Sequence, residues 1–518
     1  MHRLPRPLLA LLLLAAGGAT HAAPVERDTA QGRLLGLRTV DGIESFRAIP
    51  YALPPVGPRR WRAPEAAPPW EGVRDARAFA PQCIQTPYPA QSVFARPHRP
   101  DSEDCLYLNV WTGAEAGADA PVLVWIHGGG LTRGTGATDA YDGTALARLG
   151  AVVVTINYRL GAFGYLAHPA LSAESPRGVS GNYGYLDQVA ALRWVQAHIE
   201  AFGGDPERVT IFGESAGSRS VNALMVMPAA AGLFQGAIGQ SGGGFAPTRA
   251  LKTAVHGLRP AEAWGEALGE ALGANSLAAL RAAPAHRVVA EAERLRVPST
   301  TVVDGEVIPD QPGARFAAGA QHDVPVLLGF NADEGTSLTA PSMRPQEPEA
   351  YRAGVLARWG DAAGRFLELY PADTPEASWL RAFRDQRFGW EMVRWADATA
   401  AAEQDAWVYL FAHHPPGPYR DALRAYHAGE IRYVFDTIDL NPDATDADRA
   451  LADLMSAYWV SFAEDGDPNG DGLPPWPRWN PETRAHLVFA GEASPATGLL
   501  DAATAFFDSL PPEAMTRR

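Results

Sequence analysis

Gly213-Glu214-Ser215-Ala216-Gly217 sets a serine between two glycines in the pattern G-x-S-x-G. A hydroxyl raised on a sharp strand-to-helix turn can attack a carbonyl carbon, and such a turn needs tiny flanking residues because its backbone is strained and closely approached. Gly213 and Gly217 supply that space, so Ser215 is the candidate nucleophile. A second glycine run, His127-Gly128-Gly129-Gly130, lies upstream. Backbone N–H groups in such a run can approach a developing oxyanion with no side chain in the way, each aimed donor stabilising it by about 3 kcal/mol. Together the two segments describe acyl transfer of the ester-hydrolysis kind. A serine hydroxyl is a poor nucleophile near neutral pH, so it needs a base, and the base needs an orienting carboxylate.

The elements that must position these residues are short apolar runs at 121–127, 151–157, 209–213, 325–330 and 406–412, rich in Val and Ile. Near-continuous apolar runs suit strands covered on both faces, as in a mainly parallel sheet. Between them, residues 187–202 place Val189, Leu192, Val195 and Ile199 on one helical stripe that stops at Gly203-Gly204, and residues 216–227 predict a second helix ending before Pro228. Strand alternating with helix predicts a doubly wound α/β domain. The segments 259–296 and 349–404 are helical insertions or a cap around the sheet. The Ser-bearing turn thus follows a predicted strand and opens a predicted helix. In a fold of this kind the acid and then the base follow the serine. His256, His286, His322, His413, His414, His427 and His486 all lie downstream, and spacing alone does not choose among them.

The 518 residues are 47% hydrophobic and 20% charged, which fits a globular chain with a real core and excludes a disordered or fibrous one. A formal charge of −15 repels nucleic-acid phosphates and anionic lipid headgroups. Arg3 and Arg6, a run of nine apolar residues from Leu8 to Ala16, and small residues before Ala22 and Ala23 read as an export signal covering 1–23, leaving one domain over 24–518. The apolar run is too short to span a bilayer, and no later stretch approaches eighteen apolar residues. The expected location is periplasmic or secreted. In that compartment Cys83 and Cys105, the two cysteines of the chain, are expected to pair, with two free buried thiols as the alternative. Two cysteines alone build no zinc site. Asp465, Asp467, Asn469 and Asp471 alternate like the start of a calcium loop, but Trp476 stands where the bidentate Glu is needed and Pro468 stiffens the segment.

Long stretches carry a resemblance: residues 49–58 (IPYALPPVGP), 102–111 (SEDCLYLNVW), 157–167 (NYRLGAFGYLA) and 181–218 (GNYGYLDQVAALRWVQAHIEAFGGDPERVTIFGESAGS). In these the chain resembles the type-B carboxylesterase/lipase family, which includes bacterial carboxylesterases, cholinesterases and the adhesion proteins called neuroligins. The likeness runs over most of the chain and is strongest from about 46 to 243. It implies the α/β-hydrolase fold, a large mainly parallel sheet flanked by helices with helical insertions around the pocket, and hydrolysis of carboxylic esters through an acyl-enzyme. It assigns Glu334, in Asp333-Glu334-Gly335, as the acid, and His427, in His427-Ala428-Gly429-Glu430 before Tyr433-Val434-Phe435, as the base. It assigns the amides of Gly129, Gly130 and Ala216 to the oxyanion hole, matches Cys83 and Cys105 to the family's first disulfide, and requires no metal or organic cofactor. The partner it implies is a small ester. Oligomeric state stays open between monomer and dimer.

Two further residues belong near this site. Glu214, just before the nucleophile, holds a hydrogen-bond network or biases the pocket toward cationic or polar groups. Ser241, in Gln240-Ser241-Gly242, matches a family serine expected to give a supporting hydrogen bond. Departures bear on substrate. Cholinesterases carry a Trp ahead of the SEDCLYLN stretch that binds choline by cation–π contact; residues 91–100 (QSVFARPHRP) have Phe94, two arginines and a His instead, which disfavours choline esters. Leu131 replaces the family's usual Phe after the triple Gly and is expected to reshape the acyl side. Trp390 and Trp395 are read as core packing ahead of pocket lining. The competing functional readings are a binding or adhesion member that has lost its triad, which the retained Ser, Glu and His oppose, and a narrow esterase acting on a xenobiotic or toxin ester.

Overall fold

A computed structural model describes residues 22–97 and 99–516. The export signal therefore lies outside the described residues, save its proposed cleavage point. Among the described residues, thirteen strands form one sheet. Twelve run along its path: β1 Ala23–Thr29, β2 Gly32–Arg38, β3 Glu44–Pro50, β4 Tyr107–Thr112, β5 Ala120–Ile126, β6 Val152–Ile156, β7 Gly204–Glu214, β8 Gly236–Gln240, β9 Val326–Asn331, β10 Ala406–Phe411, β11 His486–Phe489 and β12 Ala493–Ala496. Their order across the sheet is β1-β2-β3-β4-β6-β5-β7-β8-β9-β10-β11-β12. From β6 to β11 every pairing is parallel, and the flanking strands pair antiparallel. This is the expected α/β-hydrolase architecture.

The five expected strands are β5, β6, β7, β9 and β10, each within a residue or two at its ends except β7, which begins five residues earlier, at Gly204. Strand residues alternate between two cores. Val122, Val124 and Ile126 face one cluster, which holds Val189, Leu192 and Val195 of helix α1 (Tyr183–His198) and Val221 and Leu224 of α2 (Ala216–Leu224). Leu123 and Trp125 face the other, with Leu451, Met455 and Trp459 of α4 (Asp446–Asp465); α3 (Trp390–Ala401) packs with the first cluster through Met392, Val393 and Trp395. Burial on both faces explains why these strands read as apolar runs. The stripe of α1 starts earlier than its apolar pattern and closes in a 3₁₀ turn at Ile199–Phe202, with Gly203 in the left-handed region at φ 81°. The helix after Ser215 ends at Leu224, three residues short of the expected stop.

Arg159 and Asp187 form a buried bidentate pair, Nε to Oδ2 at 2.7 Å and Nη2 to Oδ1 at 2.6 Å, and the Arg159 amide also donates to Oδ2 at 3.0 Å. The pair ties the segment after β6 to α1, the two stretches that run toward Ser215. Cys83 and Cys105 are joined by a disulfide. The 465–476 loop closes on itself: Asp467 Oδ1 accepts from the amide and side chain of Asn469, whose Oδ1 accepts from Trp476 N at 2.7 Å. Trp395 is fully buried in the core, and Trp390 is buried with its Nε1 on Asp508 at 2.8 Å, so both pack rather than line the pocket. No helix among the described residues is long and apolar enough to cross a membrane.

Candidate active site

Ser215 stands at the carboxyl end of β7, between strand and helix, with φ 57° and ψ −116°. Non-glycine residues avoid this region, and the cost persists only where surrounding structure enforces it. Enforcement here is visible. The Ser215 amide donates to the Gln240 carbonyl at the end of β8 at 2.8 Å. A Cβ on Gly217 would sit 1.9 Å from the Ile126 carbonyl oxygen, and one on Gly213 would sit 2.6 Å from it. The two glycines are thus the price of threading the turn over the end of β5.

The glycine run leaves β5 beside this turn. A Cβ on Gly128 would lie 3.2 Å from Ser215 Cβ and 2.8 Å from Glu214 Oε2. Gly129 and Gly130 take φ 104° and 67°. Among the described residues, the N–H groups of Gly129, Gly130 and Ala216 donate to no protein acceptor. His127 anchors the loop. Its ring stacks on Tyr158 at 4.5 Å, and burial lowers its pKa to about 4, so it is neutral near pH 7.

Glu334 follows β9 and His427 follows β10, so both arrive at the same edge of the parallel sheet as Ser215. Glu334 Oε2 lies 2.5 Å from His427 Nδ1, and its Oε1 accepts from the Asn331 amide at 2.8 Å. Nε2, the other ring nitrogen, lies 3.1 Å from Glu214 Oε1. No hydrogen bond joins Ser215 Oγ to His427 among the described residues. The ring is buried and walled by Phe388 at 4.9 Å and Phe94 at 6.3 Å between centroids. Burial acts to lower the ring's pKa, but the charges of Glu214, Glu334 and Glu430 and the bond to Glu334 outweigh it and push it up to about 9. Burial pushes the Glu214 carboxyl well above the usual range; His427 opposes this, and Glu430 and Glu334 add to it.

Three expectations need adjustment. Ser241 is fully buried with φ 56°, and its hydroxyl has no hydrogen-bond partner among the described residues. It contributes to the site through its amide, which donates to the Gly329 carbonyl at 2.8 Å. Leu131 does not face open space: at φ 59° its side chain turns into the core, fully buried, while its carbonyl accepts from Gly161 at 2.8 Å. Glu214 contacts the base itself through Nε2.

Residue-by-residue reading also missed a supporting network. Glu430 is fully buried and accepts from Asn331 Nδ2 at 2.6 Å and Gln240 Nε2 at 3.0 Å. Gln240 Oε1 accepts from Trp459 Nε1 at 3.2 Å. This network links the Ser215 turn, through Gln240, to the strand end that carries Glu334. A carboxylate three residues after His427 was its one sequence signal. Phe388 had none.

A model of the carboxylesterase family matches residues 23–358 and 370–507. A fumonisin B1 esterase of Sphingopyxis macrogoltabida is 39% identical, over 93% of this chain and 91% of that one. A para-nitrobenzyl esterase of Bacillus subtilis (strain 168) is 35% identical, over 90% of this chain and 94% of that one. The solved carboxylesterase of Geobacillus stearothermophilus at pH 6.2 superposes with a TM-score of 0.80 at 37% identity, covering 93% of this chain and 99% of that one. With an α/β-hydrolase sheet, a strained serine turn and a buried Glu–His pair at one sheet edge, and with these matches over nearly its whole length, the chain belongs to the carboxylesterase family and is a carboxylic ester hydrolase.

Proposed function

We propose that Ser215, His427 and Glu334 form the catalytic triad of this ester hydrolase, and that the amides of Gly129, Gly130 and Ala216 form its oxyanion hole. The observation that carries the reading is the 2.5 Å contact between Glu334 and His427, residues 93 apart in sequence, at the sheet edge where the strained Ser215 turn emerges. In the reaction, Nε2 of neutral His427 takes the proton of Ser215 Oγ as the oxygen attacks the ester carbonyl. The oxyanion that forms is held by the three amides, which have no other acceptor in the protein. The C–O bond to the alcohol breaks, the alcohol leaves with the proton from Nε2, and water repeats the sequence on the acyl-enzyme. Glu334 fixes the tautomer with the proton on Nδ1 and stabilises the imidazolium. Ser215 must swing onto Nε2 to begin, since Nε2 faces Glu214 at rest; catalytic hydrogen bonds of free enzymes often tighten only with substrate bound.

The substrate is read as a small ester of uncharged or mixed alcohol. Phe94 beside the His427 ring and Arg96, whose charge acts on Glu214, make a poor choline site. The names of two relatives extend the test to a para-nitrobenzyl ester and to a toxin ester of the fumonisin kind. Export is also part of this reading, supported by the leader-like residues 1–23 and by the disulfide, as is a single domain over 24–518. The test is an ester panel with Ser215→Ala as control. The variant should lose at least about a thousandfold in kcat; a variant as fast as the parent would overturn the assignment.

A further inference from the structure

A cavity of about 250 Å³ lies beside the nucleophile, lined by Arg219, Arg249, Arg358, Arg387, Gly243 and Glu391 among others. Its walls are chain neighbours of the proposed catalytic groups. Arg219 follows Ser215 by one turn of α2, and its amide donates to the Ser215 carbonyl at 3.0 Å. Gly242 abuts Ser215 so closely that a Cβ there would lie 2.3 Å from the Ser215 carbonyl oxygen, and the next two glycines form part of the wall. Opposite, a π-helical turn, Asp385–Gly389, presents Gln386 and Arg387 to the cavity and sets the next residue, Phe388, against the His427 ring. π-turns of this kind recur at functional sites because they re-aim side chains within a helix.

The charge of this cavity is unbalanced. Four guanidinium groups line it against one carboxylate, Glu391, which is buried and already accepts from the amides of Phe245 at 2.9 Å and Ala246 at 3.3 Å. Arg219 and Arg358 make no ion pair among the described residues. Arg358 is half-buried, donates to Gln386 Oε1 at 3.0 Å, and has its pKa lowered by burial with no acid to offset it. Withdrawing an unpaired charge from water is costly. In a chain of net charge −15, such a cluster is not a consequence of bulk composition.

We propose that this cavity binds a free carboxylate carried by the substrate, so that the enzyme prefers esters retaining a second, ionised carboxyl group on the acyl or the alcohol chain. The proposal rests on Ser215 being the nucleophile. A planar carboxylate accepts two parallel bonds from one guanidinium, which fixes orientation as well as charge, and arginines in a partly desolvated cavity favour such a group over a neutral chain of equal length. Binding there would hold the ester with its reacting carbonyl toward Ser215.

The test compares kcat/KM for matched pairs. On the acyl side the pair is mono-para-nitrophenyl adipate and para-nitrophenyl hexanoate. On the alcohol side it is para-carboxyphenyl hexanoate and para-carbamoylphenyl hexanoate. The parent should favour the carboxylate member of at least one pair by about tenfold at low salt, with the preference shrinking as salt is added. R219Q and R358Q should each erase most of that ratio, and R358K should keep part of it. The ratio is the readout because general damage to the enzyme lowers both members alike. Ratios near unity in the parent for both pairs, or ratios that survive both substitutions, overturn the proposal. A parent that cleaves neither member of either pair overturns the Ser215 reading instead, so the two failures are distinct.

Discussion

Glu214 Oε1 lies 3.1 Å from His427 Nε2, the nitrogen that must take the serine proton. The resting ring is therefore held between two carboxylates, and its pKa is pushed up to about 9. Below that pH the ring is largely imidazolium and cannot act as a base. The acid limb of kcat/KM should fall near pH 9. A negative neighbour favours the charged ring, so removing it lowers the pKa. E214Q should move the acid limb to lower pH. Profiles of parent and variant on one neutral ester decide this, and a limb that stays in place refutes a charge role for Glu214.

Glu334 offers a sharper test of tautomer control. Its Oε1 accepts from the Asn331 amide and its Oε2 faces Nδ1. In E334Q the amide of Asn331 keeps the side-chain carbonyl oxygen where Oε1 was. The new NH₂ group then points at Nδ1, which must become the acceptor, and the ring proton moves to Nε2. With Nε2 protonated the neutral ring has no lone pair for Ser215. Loss of kcat by about 10⁴-fold is expected. A fall of less than tenfold would show that Glu334 does not set the tautomer.

The parts of this site that were legible in the sequence are those whose geometry is local. The Ser215 turn needs glycine on both sides within five residues, and the parallel strands needed for its support are apolar because both of their faces are covered. The base was not legible from spacing, since seven histidines follow Ser215 and the choice among them is made by β9 and β10 lying side by side; family resemblance supplied it. The antiparallel flank was missed because β1 is a half-exposed edge strand of mixed composition. Strand β8, Gly236–Gln240, carries two glycines and a Gln, and becomes a strand through backbone pairing on both sides. Glu430, Gln240 and Asn331 acquire their roles only when three strand ends meet, which no spacing along the chain records.

Gly217 should be the least tolerant position near the nucleophile. An added methyl would lie 1.9 Å from the Ile126 carbonyl oxygen, a backbone atom that cannot rotate away. Relief requires moving β5 or the first turn of α2, and overpacking of this kind costs about 1–3 kcal/mol or more. G217A should lower the urea midpoint by that amount. Because Ala216 and the glycine loop shift together, it should also lower kcat on neutral esters more than it raises KM. A variant with parental midpoint and kcat would mean that the turn has slack.

The disulfide supports both stability and the site. Cys83 and Cys105 are 22 residues apart, and the loop they close carries Tyr88 and Phe94, with Phe94 against the His427 ring. Opening the bond frees the unfolded chain by about 3 kcal/mol on the loop-entropy account. C83S/C105S should therefore lower the free energy of unfolding by about that much in urea titrations, and reductant should have the same effect on the parent while leaving the variant unchanged. The native loop, no longer tethered at Cys83, should hold Phe94 less firmly on the ring, so KM for neutral esters should rise in the variant at temperatures well below its unfolding. If stability falls and KM does not move, Phe94 is held by its packing on Tyr88 alone, and the cross-link acts only through the unfolded chain.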